Sequence, residues 1–256
     1  GKSNTMGVLI EELGNKNEVT IGNLKMKTIP IVVFDANGDY IDYYWNSSIV
    51  PSYVVYRMVF PNATGRFVAF GGRAEHRDIK LDLNIYAEQD DLSTLAELIY
   101  ALVRGGTLEG LELQLDLLTR VLNIALHESK ECRLGVGATN VDVNCLLATE
   151  RGVRELEAII SREEAEKRAH AQTVQAVKRT VRTFYEKIRK CGIVPPMADE
   201  ATINPDFIDE ISDPSQPKLV VFDFSAEGAP GIELRAKQFI VVYFLNIAFD
   251  KFVEYK

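Results

Sequence analysis

Lys218-Leu219-Val220-Val221-Phe222-Asp223-Phe224 and, further on, the apolar run from Phe239 to Phe249, broken only by Asn246, decide how this chain is read. Both stretches read as strands. The first is a short, continuous apolar run of the kind a sheet buries. The second falls well short of the about 20 residues needed to span a bilayer, so it is expected inside the protein rather than in a membrane. Two strands alone are marginal in water. They are therefore expected to join β structure elsewhere in the chain, and the only other β-rich stretch is at the N-terminus.

That stretch starts with Glu18 to Phe34, rich in Val, Ile and Thr, with Pro30 marking an edge or a break. Asp35-Ala36-Asn37-Gly38-Asp39 has turn chemistry and predicts a hairpin into Tyr40 to Trp45. Tyr53 to Phe60 and Arg66 to Phe70 follow as strands. From Asp78 to Tyr86 polar and apolar residues alternate, with Ile79, Leu81, Leu83 and Ile85 on one side, which predicts a strand with one buried face.

The middle reads as helical. Asp90 or Asp91 can cap a helix whose apolar face is Leu92, Leu95, Leu98, Ile99 and Leu102, ended by Gly105-Gly106. Leu111, Leu115, Leu118, Leu122 and Leu126 continue the helical rhythm. Thr149 to Ile160 is amphipathic, and Ser161 is placed to cap a further helix to Lys190, stopped by Cys191-Gly192 and Pro195-Pro196. The expectation is one α+β domain over residues 1–256. Its mixed or antiparallel sheet would be built from N- and C-terminal strands. The parts are a β-rich segment (18–88), a helical excursion (90–192), a proline-rich loop (193–217) and C-terminal strands (218–256).

Composition narrows function by exclusion. In 256 residues, 46% hydrophobic content rules out a disordered chain, and three Cys are too few for a disulfide scaffold. Cys132, Cys145 and Cys191 read as reduced thiols of a cytoplasmic protein. Val8-Leu9-Ile10 runs straight into Glu11-Glu12, which leaves no signal-peptide core there. His76, His127 and His170 show no metal-ligand spacing, and there is no G-x-S-x-G elbow. Gly1-Lys2-Ser3 lacks the strand and loop that would precede it in a phosphate-binding P-loop, so nucleotide binding is not expected from it. Ile31 to Asp39 looks superficially like the strand-end nucleophile of haloacid-dehalogenase-type phosphatases. Asn37 stands where the second Asp is needed, and Leu219 to Ser225 fails in the same way. No catalytic residue, cofactor or metal site is assigned.

The net charge of −8 conceals a polarity. Ser161 to Lys190 carries nine Lys and Arg against four acids, so this segment is +5 and the remainder −13. Arg168, Lys178, Arg179, Arg182 and Lys190 form the candidate interaction face. It suits an acidic protein surface such as another copy of the chain, or nucleic-acid phosphates, or it is a solvated helix face. Tyr40, Tyr43, Tyr44, Trp45, Tyr53 and Tyr56 add ring surface of the kind interfaces use.

The stretch from Gly71-Gly72-Arg73 to Gly106 is an alternating strand, an acidic turn (Glu88-Gln89-Asp90-Asp91) and a leucine-rich helix ended by glycines. It resembles a unit of tail-terminator and baseplate proteins of contractile bacteriophage tails, where a sheet and a flanking helix build rings. The resemblance implies a structural or assembly protein and not an enzyme: a viral, phage-tail-type component working through protein–protein contacts. Its partners would be copies of itself or other structural proteins, with no membrane, in the cytoplasm or in a virion. Two alternatives accompany this reading. One is a nucleic-acid-associated protein using the basic helix 161–190. The other is an enzyme whose carboxylates, drawn from separate segments, hold a metal.

Overall fold

The computed structural model describes residues 7–9, 12, 19–21, 24–26, 30–40, 53–64, 74–105, 108–134, 141–197, 200–213 and 218–254. Of the strand predicted over Tyr40 to Trp45, only Tyr40 is among these. The strand predicted over Arg66 to Phe70, with Gly71-Gly72, lies outside them. The strands are β1 (Val19–Ile21), β2 (Leu24–Met26), β3 (Ile31–Asp35), β4 (Val54–Val59), β5 (Ala74–Asp78) and β6 (Lys218–Asp223). The helices are α1 (Asn84–Glu88), α2 (Leu92–Arg104), α3 (Glu112–Glu128), α4 (Val143–Ala148), α5 (Glu150–Ala165), α6 (Ala171–Cys191), α7 (Pro205–Ser212) and α8 (Leu234–Glu254). The chain divides into two compact units. One comprises residues 1–79, 205–232 and 251–256, the other 80–204 and 233–250.

The first unit is built on a four-stranded sheet in the order β3-β6-β4-β5, in which every pairing is parallel. β1 and β2 form a separate antiparallel pair. This corrects the expected α+β fold with a mixed or antiparallel sheet: the layout is α/β. The physical reason lies in the strands. Ile31-Val32-Val33-Phe34 and Leu219-Val220-Val221-Phe222 are continuous apolar runs with no polar alternation, as parallel strands covered on both faces require. β6 is buried along its whole length between β3 and β4. Tyr53 and Tyr56, offered above as interface rings, are buried in this core, and Phe34 stacks on Phe222 with centroids 5.0 Å apart. α7, inside the segment expected to be a proline-rich loop, sets Phe207 against the Tyr56 ring.

After Asp35 the chain bends through residues 36–38 and turns helical at Asp39 and Tyr40, where a hairpin was expected. A hairpin would return the chain antiparallel to β3. Here the neighbour of β3 is the parallel β6, supplied from the far end of the sequence.

The second unit is helical. Asp91 caps α2 by accepting from the Thr94 N–H (3.2 Å). Between Asp78 and Tyr86 the predicted strand is absent. Ile79, Leu81 and Leu83 are fully buried, but the segment is an extended connector with one bridge, Leu81 to Ile203, that runs into α1. The expected continuous helix from Ser161 to Lys190 is two helices. Ser161 lies inside α5, donating its hydroxyl to the Glu157 carbonyl (2.7 Å), and the chain breaks at Lys167, whose φ is +57°. Cys132 and Cys145 are joined in a disulfide, which corrects the expectation of reduced thiols; Cys191 is free and buried.

The run Phe239 to Phe249 is part of α8 and not a strand. Ala236, Phe239, Ile240, Tyr243, Phe244 and Ile247 are buried at spacings of three and four, a helical face. The opposite face is also apolar, which hides the period in the sequence. No helix among the described residues is long and apolar enough to cross a membrane.

Candidate functional site

In a parallel sheet the strand ends that carry chemistry are the carboxyl ends, because the loops beyond them leave a crevice for ligands. β3 and β6 both end in aspartate, and Asp35 and Asp223 pair in register. Beside them, Arg57 on β4 is placed within reach by the β4–β6 pairing. All three are buried, at 2%, 0% and 2% exposure for Asp35, Asp223 and Arg57.

Arg57 donates through Nε to Asp223 Oδ2 (2.9 Å), and its Nη2 pairs with the same oxygen. The other carboxylate oxygen of Asp223 accepts the Ser225 N–H (3.0 Å). Asp35 folds its own loop: Oδ1 accepts from Gly38 (3.0 Å) and Asn37 (3.3 Å), and Oδ2 from Tyr40 (2.8 Å). The β6 loop is tied to both neighbours. Phe224 N–H donates to the Asp35 carbonyl (2.8 Å), Phe60 N–H to the Gly228 carbonyl (2.9 Å) and Thr64 N–H to the Glu227 carbonyl (3.3 Å). The Ser225 hydroxyl accepts N–H bonds from Glu227 and Gly228 (3.3 Å each). Gly228 has to be glycine, since a Cβ there would lie 2.4 Å from the Asp223 carboxyl carbon.

This edge is chemically a rigid frame. Three loops are held before any ligand arrives, which removes ordering entropy from binding. Neither carboxylate suits a divalent cation. Asp223 is neutralised by Arg57, and Asp35 is committed to three backbone N–H groups. Among the described residues no group of three or more His, Cys, Asp or Glu could hold a metal, so no carboxylate–metal site is assembled. Both strand-end aspartates stand out in the sequence, where they fail as phosphatase nucleophiles and Asp35, with Asn37 and Asp39, fails as a calcium loop because Tyr40 stands where a glycine is needed. Arg57 escapes notice there, although a lone cation inside an apolar strand is a signal that a buried acid is waiting for it.

The candidate interaction face is in the second unit, and the structure sorts its residues. Arg182 is pinned to α5, donating to Glu150 (2.8 Å) and to both oxygens of Glu157 (3.1 and 2.7 Å). These hydrogen bonds hold the Glu150 carboxyl below its usual range. Arg168 lies off the helix, beyond the break at Lys167, and pairs with buried Glu163 (3.3 Å) and with Glu166 (2.8 Å). Arg179 and Lys190 are exposed and Lys178 half-exposed on α6, and the three make no ion pair among the described residues. Ala171, Gln172, Gln175, Ala176 and Arg179 line an open depression of about 350 Å³ along the same helix.

Residues 1–248 match the family described as Helicase HerA, central domain. No curated protein and no solved structure matches the chain. The family match spans nearly the whole chain, whereas the likeness to phage tail-terminator and baseplate proteins rested on the pattern of one strand–helix unit. The structure removes half of that unit, since the alternating segment is a connector. The phage-tail and virion reading, and with it the expectation of a structural, non-enzymatic protein, is overturned. What the match establishes, on a parallel α/β sheet with a preformed carboxyl edge, is that the chain belongs to the family of the helicase HerA central domain.

Proposed function

We propose that this chain is a nucleotide-hydrolysing domain of helicase type that works on nucleic acid. The observation that carries the reading is the family match over residues 1–248. Gly1-Lys2-Ser3 falls inside that match and has the residue types of the last three positions of G-x-x-x-x-G-K-[ST]. The tripeptide alone is too short to signify; within a helicase family it acquires weight. In that motif the lysine reaches the β- and γ-phosphates and the hydroxyl residue meets the accompanying magnesium. The carboxyl edge of β3, β6 and β4 supports the reading as the part of a parallel sheet where ligands sit. Asp35 and Asp223 act there as frame residues, so no step is routed through a metal on them. Ala171 to Lys190 supplies a second support: Lys178, Arg179, Arg189 and Lys190 are cations in no ion pair among the described residues and open to phosphates of a nucleic acid.

The test is ATP turnover, with magnesium, by the protein that carries this chain, measured with and without DNA. Turnover that rises with DNA is the expected result. DNA binding that falls steeply with salt, and less steeply once Arg179→Glu and Lys190→Glu are introduced, assigns the phosphate contacts to α6. No turnover under any of these conditions contradicts the proposal.

A further inference from the structure

We propose that the Cys132–Cys145 pair is a reversible redox site on which a dithiol reductant acts, and that its state sets how firmly the first turn of α4 is held to the start of α1. Cys132 follows the end of α3, Cys145 lies in the first turn of α4, and the two are joined 13 positions apart in the chain. Both are buried, but Lys130, Glu131, Arg133 and Leu134 around Cys132 are exposed, so the bond lies just beneath the surface.

The two ends of the bond are anchored differently. On the α3 side, the Cys132 N–H donates to Ser129 Oγ (3.2 Å), the Ser129 hydroxyl donates to the Glu155 carboxylate, and Glu155 Oε1 accepts from the Lys130 N–H (2.8 Å). Cys132 is thereby fixed to α5 whatever its sulfur does. On the α4 side the contacts run to α1. Leu83 N–H donates to Asn144 Oδ1 (2.8 Å) and Val143 N–H to Asn84 Oδ1 (2.7 Å), with Asn144 directly before Cys145. The disulfide, together with the Asp142 N–H bond to the Cys132 carbonyl (2.7 Å), ties this turn to the anchored side. Opening the S–S bond leaves only non-covalent contacts across that tie.

The surroundings suit both states. The Cys145 sulfur lies 4.0 Å from the Glu131 carbonyl oxygen and 3.7 Å from the Thr149 hydroxyl oxygen. An S–H formed there meets acceptors already in place, so reduction strands no buried donor at Cys145. The reaction is thiol–disulfide exchange. One thiolate of the reductant attacks a sulfur of the pair, and the S–S electron pair leaves on the other sulfur, which takes up a proton. The reductant's second thiolate then closes on its first sulfur and releases the remaining cysteine, which is protonated in turn. Two electrons and two protons have passed to the protein, and the reductant ends as a cyclic disulfide. A disulfide oxidant reverses the exchange.

The experiment is hydrogen–deuterium exchange of the full chain, read by mass spectrometry before dithiothreitol, after it, and again after reoxidation with oxidised glutathione. Peptide mapping is expected to find the Cys132 and Cys145 peptides joined at the start and parted by dithiothreitol. Amide exchange around Leu83 and Val143 is expected to quicken about tenfold or more on reduction and to return on reoxidation, while α6 and α8 keep their protection. Cys132→Ser with Cys145→Ser is expected to exchange like the reduced parent and to ignore the reductant; if that variant does not fold, the three measurements on the parent carry the test. Peptides unjoined at the start, or still joined after dithiothreitol, overturn the proposal. So does exchange around Leu83 and Val143 that reduction leaves unchanged. Protection lost throughout the helices overturns it too, because a general staple rather than a local site acts that way, and so does a loss that reoxidation fails to reverse.

Discussion

Arg57 reaches across the sheet from β4 to Asp223 at the end of β6, with Nε 2.9 Å from Oδ2, and both groups are closed off from water. Removing one member of such a pair leaves the other charged and unsolvated. Arg57→Met is expected to cost about 3–5 kcal/mol in urea denaturation. Replacing both, with Arg57→Met and Asp223→Leu, is expected to restore much of that loss, because no charge is then stranded.

In the helical unit, Asp82-Leu83-Asn84 and Asp142-Val143-Asn144 hold each other in a reciprocal clasp. Leu83 N–H donates to Asn144 Oδ1 (2.8 Å), and Val143 N–H to Asn84 Oδ1 (2.7 Å). Each amide also donates to the opposite aspartate, Asn84 to Asp142 (3.1 Å) and Asn144 to Asp82 (2.9 Å). Asn84→Ala and Asn144→Ala are each expected to destabilise by about 1–3 kcal/mol, since each strands a buried N–H. The double mutant should lose less than the sum. Strict additivity in a thermodynamic cycle would show that the two halves are independent.

Glu210 on α7 gives a pH signature. Burial pushes its carboxyl up, but the hydrogen bonds from Arg77 and Tyr56 outweigh this and hold it below the usual glutamate range. A folded-state pKa below the unfolded value contributes stability above the unfolded value of about 4.3. That contribution is lost as pH falls through the folded one. Glu210→Gln is expected to be less stable at neutral pH and to lose less stability on acidification. Denaturation midpoints followed across the acid range check this, and parallel curves for the two proteins would refute it.

How much of this could be read from the residues varies by element. The amphipathic helices and the Asp91 cap follow from periodicity, because one face is polar. α8 does not, because both faces are apolar. The direction of the sheet left a trace in the unbroken runs Ile31 to Phe34 and Leu219 to Phe222. The turn chemistry after Asp35 pointed to a hairpin instead, and it is that loop's contact with a strand far away in sequence that overrides it. The break between α5 and α6 has no Gly or Pro; Lys167 takes the positive φ itself. The frame of Asp35, Arg57 and Asp223 exists only once β6 slots between β3 and β4, so no local pattern contains it. On the candidate face, charge counting could not tell Arg182, pinned to α5, from Arg179, which is open.

A nucleotide site that uses Gly1-Lys2-Ser3 lies at the centre of the proposed helicase-type function. Its most direct test is equilibrium titration of a fluorescent ATP analogue, with magnesium, against the protein carrying this chain and its Lys2→Ala variant. Saturable binding to the parent, weakened at least about tenfold in the variant, is expected, because a charge-assisted phosphate contact is lost. Equal binding by both proteins, or none by the parent, would contradict it.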